Sequence, residues 1–91
     1  MNANATITKT IETYGAGSIF ERTVIRFRAG TRAAEIWLPI SGRVTAYDRA
    51  SVYFGFMNGD RFCRVSGANP SRTCATKKMA VNVAKKWALK S

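Results

Sequence analysis

The chain has 91 residues, of which 46% are hydrophobic and 11% aromatic, and it carries a formal net charge of +10. This length suits one domain, residues 1–91, and the hydrophobic content is enough for a packed core, which disfavours disorder throughout the chain. With no histidine, two cysteines and five carboxylates, the sequence disfavours a zinc site and histidine-dependent catalysis, so we expect no enzymatic activity, cofactor or metal.

Four or five β-strands are predicted over roughly residues 6–66, because apolar and β-branched residues alternate between glycine-containing breaks. The predicted strands are 6–14, Ile19–Arg28, Ala34–Ile40, Val52–Met57 and Arg61–Ser66. In the first strand Ile7 and Ile11 share one face. Pro39 indicates an edge position or the end of the third strand. The segment RVTAYDRA, residues 43–50, fits either a short strand or a helical turn.

The last segment is predicted to be an amphipathic helix over roughly residues 71–89. Either Asn69 followed by Pro70, or Ser71 or Thr73, would cap its start. One side of this helix is apolar and the opposite side carries Lys78, Asn82 and Lys85. The apolar residues are Met79, Ala80, Val83, Ala84 and Trp87. Together these elements predict an α+β fold, an antiparallel sheet of four to five strands with one C-terminal helix packed on one face.

Asn58-Gly59 predicts a hairpin with a two-residue type I′ turn, which would pair Met57 with Asp60. In that register one face of the hairpin is apolar and forms the core, including Val52, Phe54, Phe56 and Cys63. The other face carries Tyr53 opposite Arg64, with Phe62 over Gly55. A slip of one residue would exchange the two faces, so the hydrophobic pattern supports this assignment of faces.

Gly30-Thr31 predicts a second hairpin with a type II′ turn, because glycine occupies the first central position. This register places Arg26 across from Glu35, a favourable cross-strand charge pair. It also places Trp37 on the outer face, among Arg22, Arg26 and Arg28.

Positive charge is concentrated towards the end of the chain. Residues 1–60 contain seven basic and five acidic residues, whereas residues 61–91 contain eight basic and no acidic residues. We expect these cations to form one continuous patch that attracts a polyanion. The leading partner is nucleic acid, either RNA or DNA, followed by an acidic protein surface, and no membrane partner is expected. The predicted phosphate-binding residues are Lys77, Lys78, Lys85, Lys86, Arg61, Arg64, Arg72, Arg26 and Arg28.

Aromatic residues interleaved with arginines on a sheet face are typical of single-stranded nucleic-acid binding, where rings stack on bases and cations meet phosphates. Trp37, Tyr53 and Phe62 are the predicted stacking or partner-contacting residues. The outward rings and the lysines of the helix also have purely structural explanations. The rings are equally consistent with a face covered by the chain's own loop, by an edge strand or by a second copy in a homodimer. Lysines near the end of a helix also stabilise its dipole.

The closing segment TKKMAVNVAKKWALKS, Thr76–Ser91, resembles the last helix of double-stranded-RNA-binding domains. In that family paired lysines at the helix start contact phosphates, and alanines spaced by four residues pack on a three-stranded sheet. Lys77 and Lys78 match the lysine pair, and Ala80 and Ala84 match the packing positions. The resemblance covers about one-sixth of the chain and lacks the family's opening helix. It implies that Lys77, Lys78 and Lys85 contact phosphates across a groove.

A second functional hypothesis follows from the same small, basic, non-catalytic character. Small proteins of phages and mobile elements inhibit host nucleic-acid-processing complexes by direct protein binding, and inhibitors of CRISPR effectors are one such group. In that case Trp37 and Tyr53 would anchor a protein interface. The N-terminus does not have the pattern of a secretion signal, so we expect a cytoplasmic protein in which Cys63 and Cys74 are buried free thiols.

Overall fold

Six antiparallel strands and one helix make up the computed structural model, which describes residues 6–65 and 71–90. The elements are β1 (Thr8–Tyr14), β2 (Arg22–Ala29), β3 (Arg32–Trp37), β4 (Ala50–Asn58), β5 (Arg61–Arg64), β6 (Ser71–Cys74) and α1 (Lys77–Ala88). The sheet has the order β1-β2-β3-β4-β5, and β6 also pairs with β4. The predicted α+β fold with a C-terminal helix is therefore confirmed, with one strand more than expected.

The additional strand, β6, occupies the place where the sequence predicted the start of the helix. β5 pairs with only one half of β4, from Gly55 to Asn58, which leaves the other half of the same edge open. β6 fills that half by pairing with residues Ala50–Tyr53. The predicted caps Ser71 and Thr73 are thus strand residues, and the alternative cap Asn69-Pro70 lies outside the described residues. The helix begins after Thr76, whose hydroxyl accepts a hydrogen bond from the backbone N–H of Met79 at 3.1 Å.

The core lies between α1 and one face of the sheet. Ala80, Ala84 and Ala88 are buried at four-residue intervals along the helix, and their small side chains allow it to approach the sheet closely. They pack with apolar residues of β2, β3 and β4, among them Ile25, Ile36, Val52 and the half-buried Phe54. Burial on one side of α1 explains why its lysines point towards solvent. Within the described ranges, no helix has the length and apolar content needed to cross a bilayer.

The β2–β3 hairpin has the predicted register, with Arg26 opposite Glu35 and Ile25 opposite Ile36. Gly30 has a φ of +62°, and the next residue does not have a positive φ. Positive φ at the first central residue alone is the signature of the type II′ turn. Because the two-residue loop fixes the pairing, Trp37 lies on the sheet face opposite α1, as expected.

The β4–β5 hairpin differs from its predicted register by two residues. Asn58 pairs with Arg61, so the turn residues are Gly59 and Asp60 rather than Asn58 and Gly59. Gly59 has a φ of +63°, which makes this turn type II′ as well. A shift of two residues preserves the faces, since side chains alternate with period two. Tyr53 and Phe62 accordingly lie on the face opposite α1, as predicted.

Several expectations about individual segments are wrong in detail. β2 begins at Arg22, so Ile19 and Phe20 are exposed in the connection that follows Gly15 and Gly17. β3 ends at Trp37, and residues 43–49 form neither a strand nor a helix. Phe56 faces the helix side but is 42% exposed, because it lies near the end of β4 beside Trp87, at the last turn of α1.

Two of three further predictions about the burial of side chains are wrong. Met79, predicted on the apolar side of the helix, is exposed. Cys63 and Cys74 are free thiols as expected, but Cys63 is exposed and only Cys74 is buried.

Gly55 is needed in β4 because another segment of backbone passes close to it. A methyl group built on this residue would overlap the carbonyl oxygen of Cys63 and approach the Phe62 ring to 2.9 Å. We predict that Gly55→Ala lowers the free energy of unfolding by about 1–3 kcal/mol through overpacking. Urea denaturation measures this value. Ser51→Ala, in the same strand and on the same face, is the control, and an equal loss in both variants would contradict the explanation.

Candidate functional site

The sheet separates the predicted binding residues into two groups. Arg72 pairs with Val52 and therefore lies on the helix side, whereas Arg64 pairs with Gly55 and lies on the opposite side. Arg26 and Arg28 share the side of Arg64, and Arg61 is exposed at the β4–β5 turn. The expectation of one continuous patch is therefore wrong, because side chains alternate along the strands and the sheet stands between the two groups.

Two cationic surfaces result, one on each side of the sheet. The lysine surface consists of four lysines of α1, one lysine just beyond its end and one arginine from β6: Lys77, Lys78, Lys85, Lys86, Lys90 and Arg72. The outer face is the sheet side opposite α1, where aromatic residues alternate with arginines: Tyr14, Trp37, Tyr53, Phe62, Arg22, Arg26, Arg28 and Arg64.

A buried carboxylate organises the outer face. Glu35 is 3% exposed, and its Oε2 atom accepts hydrogen bonds from Arg26 at 3.1 Å and 2.7 Å. Its Oε1 atom accepts a hydrogen bond from the indole N–H of Trp37 at 3.2 Å. Glu12, on β1, lies 3.8 Å from the Arg26 guanidinium. Glu35 therefore fixes the positions of one arginine and one indole ring on this face.

Burial lowers the pKa of the Arg26 guanidinium, but the hydrogen bonds and charge of Glu35 outweigh burial, so the pKa is raised overall. The pKa of Tyr14 is raised as well, in this case by burial itself. The hydrogen bond that its hydroxyl donates to Glu12 at 3.0 Å adds to the increase. Both shifts keep these residues in their ordinary protonation states at neutral pH.

The rings of the outer face contact one another and the neighbouring arginines. The Trp37 ring lies 4.9 Å from Tyr14 and 6.1 Å from Tyr53, measured between centroids. Arg64 lies 3.8 Å above the Tyr53 ring, and Arg26 lies 5.9 Å from Phe62. Arg64 and Tyr53 thus meet diagonally, although the two-residue shift removed the direct pairing that the sequence predicted.

Most arginines of the outer face already have acceptors within the protein. Arg22 donates to the carbonyl of Leu38 at 2.9 Å, and Arg28 donates to the carbonyls of Gly30 and Gly59 at 2.8 Å and 3.0 Å. Together with the Arg26–Glu35 pair, these bonds use three of the four cations to hold strands and turns together. A cation engaged in this way has fewer donors to offer a phosphate.

The lysine surface is different, because no carboxylate lies among its residues. Glu12 and Glu35 belong to the outer face, and Glu21, Asp48 and Asp60 lie in connections between strands. Lys85 and Lys86 flank two sides of α1. Lys85 lies 5.6 Å from the Phe27 ring of β2, and Lys86 lies beside Arg72 of β6. The positive charges therefore cover α1 on both sides without an internal counterion.

A shallow groove of about 240 Å³ runs between α1 and β6. Its floor is apolar, formed by Phe54, Val83 and the half-buried Trp87, and its rim carries Arg72, Lys86 and Lys90. The Trp87 indole N–H donates to the carbonyl of Gly55 at 3.1 Å, which fixes the ring. An apolar floor with a cationic rim suits a flat ring attached to an anionic group.

Within residues 6–65 and 71–90, no group of three or more cysteine or acidic side chains could hold a metal ion. Sequence reasoning identified the lysines of α1 but missed Lys90 and Trp87. It also missed Tyr14 on the outer face, whose partnership with Trp37 depends on strand pairing. Trp87 had a detectable signal, since it falls one turn beyond Val83 on the apolar side of the helix, next to lysines.

Comparison of the chain with protein-family models, curated proteins and solved structures found no match.

Removal of the buried carboxylate should destabilise the fold far more than removal of its exposed neighbour. We predict that Glu35→Ala lowers the free energy of unfolding by about 3–5 kcal/mol, because it leaves the charge of Arg26 buried without its main partner. Glu12→Ala, which removes a carboxylate from the same arginine at an exposed position, should cost at most about 1 kcal/mol. Chemical denaturation distinguishes the two. Equal effects would show that Glu35 does not organise this face.

Proposed function

We propose that the protein is a non-enzymatic nucleic-acid-binding module that contacts the phosphate backbone through its lysine surface, with weak sequence selectivity. The observation that carries this proposal is a set of six cations on one side of the molecule with no carboxylate among them. Such a surface repels itself in the free protein and gains from a polyanion that replaces the missing counterions.

The positions of Lys77 and Lys78 support a binding role over a purely structural one. They lie in the first turn of α1, which contains no acidic residue. Cations at a helix N-terminus oppose the helix dipole, at a typical cost of about 0.3–1 kcal/mol each. Fold stability therefore does not explain two lysines at this place. A bound phosphate would be favoured there by the lysines and by the dipole together.

The lysines at the other end of α1 have a structural explanation as well. Lys85 and Lys86 occupy the last turn, where cations stabilise the dipole. Their contribution to binding is therefore tested separately from that of Lys77 and Lys78. The resemblance of Thr76–Ser91 to the last helix of double-stranded-RNA-binding domains agrees with this choice, since the phosphate-binding lysines of that family match Lys77 and Lys78.

The aromatic groove extends the proposed contact from phosphate to base or sugar. Trp87 lies at the floor between Arg72 and Lys86, so a nucleotide whose phosphate meets these cations would bring its ring towards the indole. Stacking on an aromatic side chain is worth about 1–3 kcal/mol per base and depends little on sequence. Trp37, Tyr53 and Phe62 of the outer face take a secondary role in this proposal, because their arginine neighbours are largely occupied.

Binding should depend steeply on salt. If the six cations of the lysine surface each neutralise one phosphate, affinity should fall about 10³-fold between about 50 and about 200 mM salt. Titration of labelled RNA and DNA at several salt concentrations measures the slope. A flat response, or no binding at the lowest salt, would contradict the proposal.

Substitution of the first-turn lysines should separate binding from stability. Lys77→Gln/Lys78→Gln should reduce the salt slope by about 1.4–1.8 and leave the melting temperature unchanged or higher, because the dipole conflict is removed. Arg28→Gln/Arg64→Gln removes the same charge from the outer face and is the matched control. If this control loses the binding and the lysine variant retains it, the outer face is the interface and the assignment to α1 is wrong.

A second candidate function is favoured by exposed apolar side chains in two connections at one end of the sheet. Ile19 and Phe20 precede β2, and Ile40 and Tyr47 lie between β3 and β4, all with large exposed fractions. Exposed apolar groups of this kind are typical of protein-binding surfaces. They suit the alternative of a phage or mobile-element protein that inhibits a host nucleic-acid-processing complex. Both candidate partners occur inside cells, so the cytoplasm is the compartment that we propose.

One comparison discriminates the two candidates. Under the inhibitor hypothesis, a host complex would be retained on the protein after nuclease treatment. Ile19→Ser/Phe20→Ser would abolish that retention, while Lys77→Gln/Lys78→Gln would not. Under the nucleic-acid hypothesis, nuclease treatment removes the partners and the loop variant behaves like the wild type.

A further inference from the structure

The strand β1 lies at the edge of the sheet. Among the described residues, its hydrogen-bonding edge on the side away from β2 has no partner strand. All seven of its residues are exposed, including Ile11 at 61%. α1 packs across β2, β3 and β4, and it leaves the helix-facing side of β1 uncovered. The strand therefore presents both its hydrogen-bonding edge and one apolar side chain to solvent.

The free backbone groups of β1 can be assigned from the neighbouring hairpin. The two-residue turn makes Ala29 and Arg32 a hydrogen-bonded pair, and such pairs recur at every second residue of β2. Thr23 fits this alternation, because its carbonyl accepts a hydrogen bond from the N–H of Leu38 at 3.0 Å. The odd-numbered residues of β2 thus bond to β3, and the even-numbered ones bond to β1. In β1 the even-numbered residues are consequently satisfied, and Lys9, Ile11 and Thr13 direct their N–H and C=O groups outwards.

Proteins usually protect a long edge with proline, bulges, short strands or like charges. β1 has seven residues with continuous pairing to β2, no proline, and one residue of each charge, Lys9 and Glu12. The opposite edge is protected, since it is divided between β5 and β6 and carries Arg61, Arg64 and Arg72. The contrast identifies β1 as the edge that is suited to pairing.

We propose that the partner of β1 is β1 of a second copy of this chain, in an antiparallel pair with the two-fold axis at Ile11. Ile11 is the central residue of Thr8–Tyr14, so this register pairs all seven residues of each strand. Each Ile11 exchanges two hydrogen bonds with its counterpart, and each Lys9 does the same with Thr13 of the other copy. This register requires outward N–H and C=O groups on Lys9, Ile11 and Thr13, and β1 directs these groups outwards.

Charge disfavours two of the alternative registers. An axis at Lys9 places two lysines opposite each other, and an axis at Glu12 places two carboxylates opposite each other, both destabilising arrangements. The axis at Ile11 instead joins the two exposed isoleucines and places Glu12 across from Thr10. Sequence reasoning considered a homodimer through the second sheet face. The edge is the better surface, because three of the four arginines of that face already donate hydrogen bonds within the protein.

The proposed dimer is a continuous ten-strand sheet along its main path, with both α1 helices on the same side. A two-fold axis through an antiparallel edge pair is perpendicular to the sheet, so the faces are preserved across the junction. The two lysine surfaces would then face the same direction. This arrangement goes beyond the proposed binding function and does not depend on it.

Mass in solution tests the proposal. Light scattering after size exclusion, over a range of protein concentrations, should show a dimer whose fraction rises with concentration. Ile11→Pro should give a monomer with an unchanged circular dichroism spectrum, because the N–H that it removes has no acceptor among the described residues. A monomeric wild type at every concentration, or a dimer that Ile11→Pro leaves intact, would overturn the proposal.

Cysteine crosslinking tests the register. In a Cys63→Ser background, Ile11→Cys should form an intermolecular disulfide on mild oxidation, since the Cα atoms of a hydrogen-bonded antiparallel pair lie about 5.5 Å apart. Thr13→Cys is the matched control, because the two copies of residue 13 would be about 13 Å apart along the strands. Equal crosslinking of both, or none at residue 11, would overturn the register.

The two proposals fail separately. A monomer that binds nucleic acid with the expected salt slope overturns the edge pairing and leaves the binding function standing. A crosslinked dimer that binds no nucleic acid overturns the binding function and leaves the edge pairing standing.

Discussion

Close packing between α1 and the sheet is the interaction on which the rest of the structure depends. Three alanines at four-residue intervals bring the helix axis near β3 and β4, and this contact sets the rotation of the helix about its own axis. That rotation directs the lysines outwards and lays Trp87 beside Phe54 and Gly55. Arg32 of β3 secures the far end, since its guanidinium lies 3.7 Å from the Trp87 ring and its Nε donates to the Trp87 carbonyl.

The two sides of the sheet use positive charge in different ways. On the outer face most arginines are structural, because carbonyl groups and Glu35 accept their hydrogen bonds. On the helix side the cations lack carboxylate neighbours, and two of them occupy a turn of the helix where they reduce its stability. The basic residues behind the net charge of +10 therefore form two populations with different surroundings. The helix-side population is the one on which the proposal of a polyanionic partner rests.

The sequence predicted the architecture well where local patterns were strong. The alternation in β2 and β3 and the glycine at the turn determined the Arg26–Glu35 pairing correctly. The four-residue spacing of Ala80 and Ala84 identified the buried side of the helix. The faces of β4 and β5 were also correct despite the shifted register, because a two-residue shift does not change the side to which a residue points.

The sequence could not show features that arise from contacts between distant segments. Ser71–Cys74 forms a strand because half of the β4 edge is open, and that vacancy depends on the length of β5. The continuity of the cationic patch depended in the same way on which side of β4 each later segment joined. Asn58 is a strand residue and not a turn residue, because Gly59 and Asp60 form a type II′ turn. The Asn-Gly pair alone does not distinguish this turn from the predicted one.

The joining of β5 and β6 to the same edge of β4 has a consequence for how the chain tolerates change. Pairing proceeds from Gly55–Arg64 to Tyr53–Ser71, so its register shifts by five residues between the two ladders. Each ladder is determined by its own residues, and neither requires a fixed number of residues between them. Because loop closure costs only about 0.6 kcal/mol for each doubling in length, a peptide inserted between β5 and β6 should leave both ladders paired. Evolution could lengthen the protein here, or an engineer could graft a tag, while the helix and its cations stay in place.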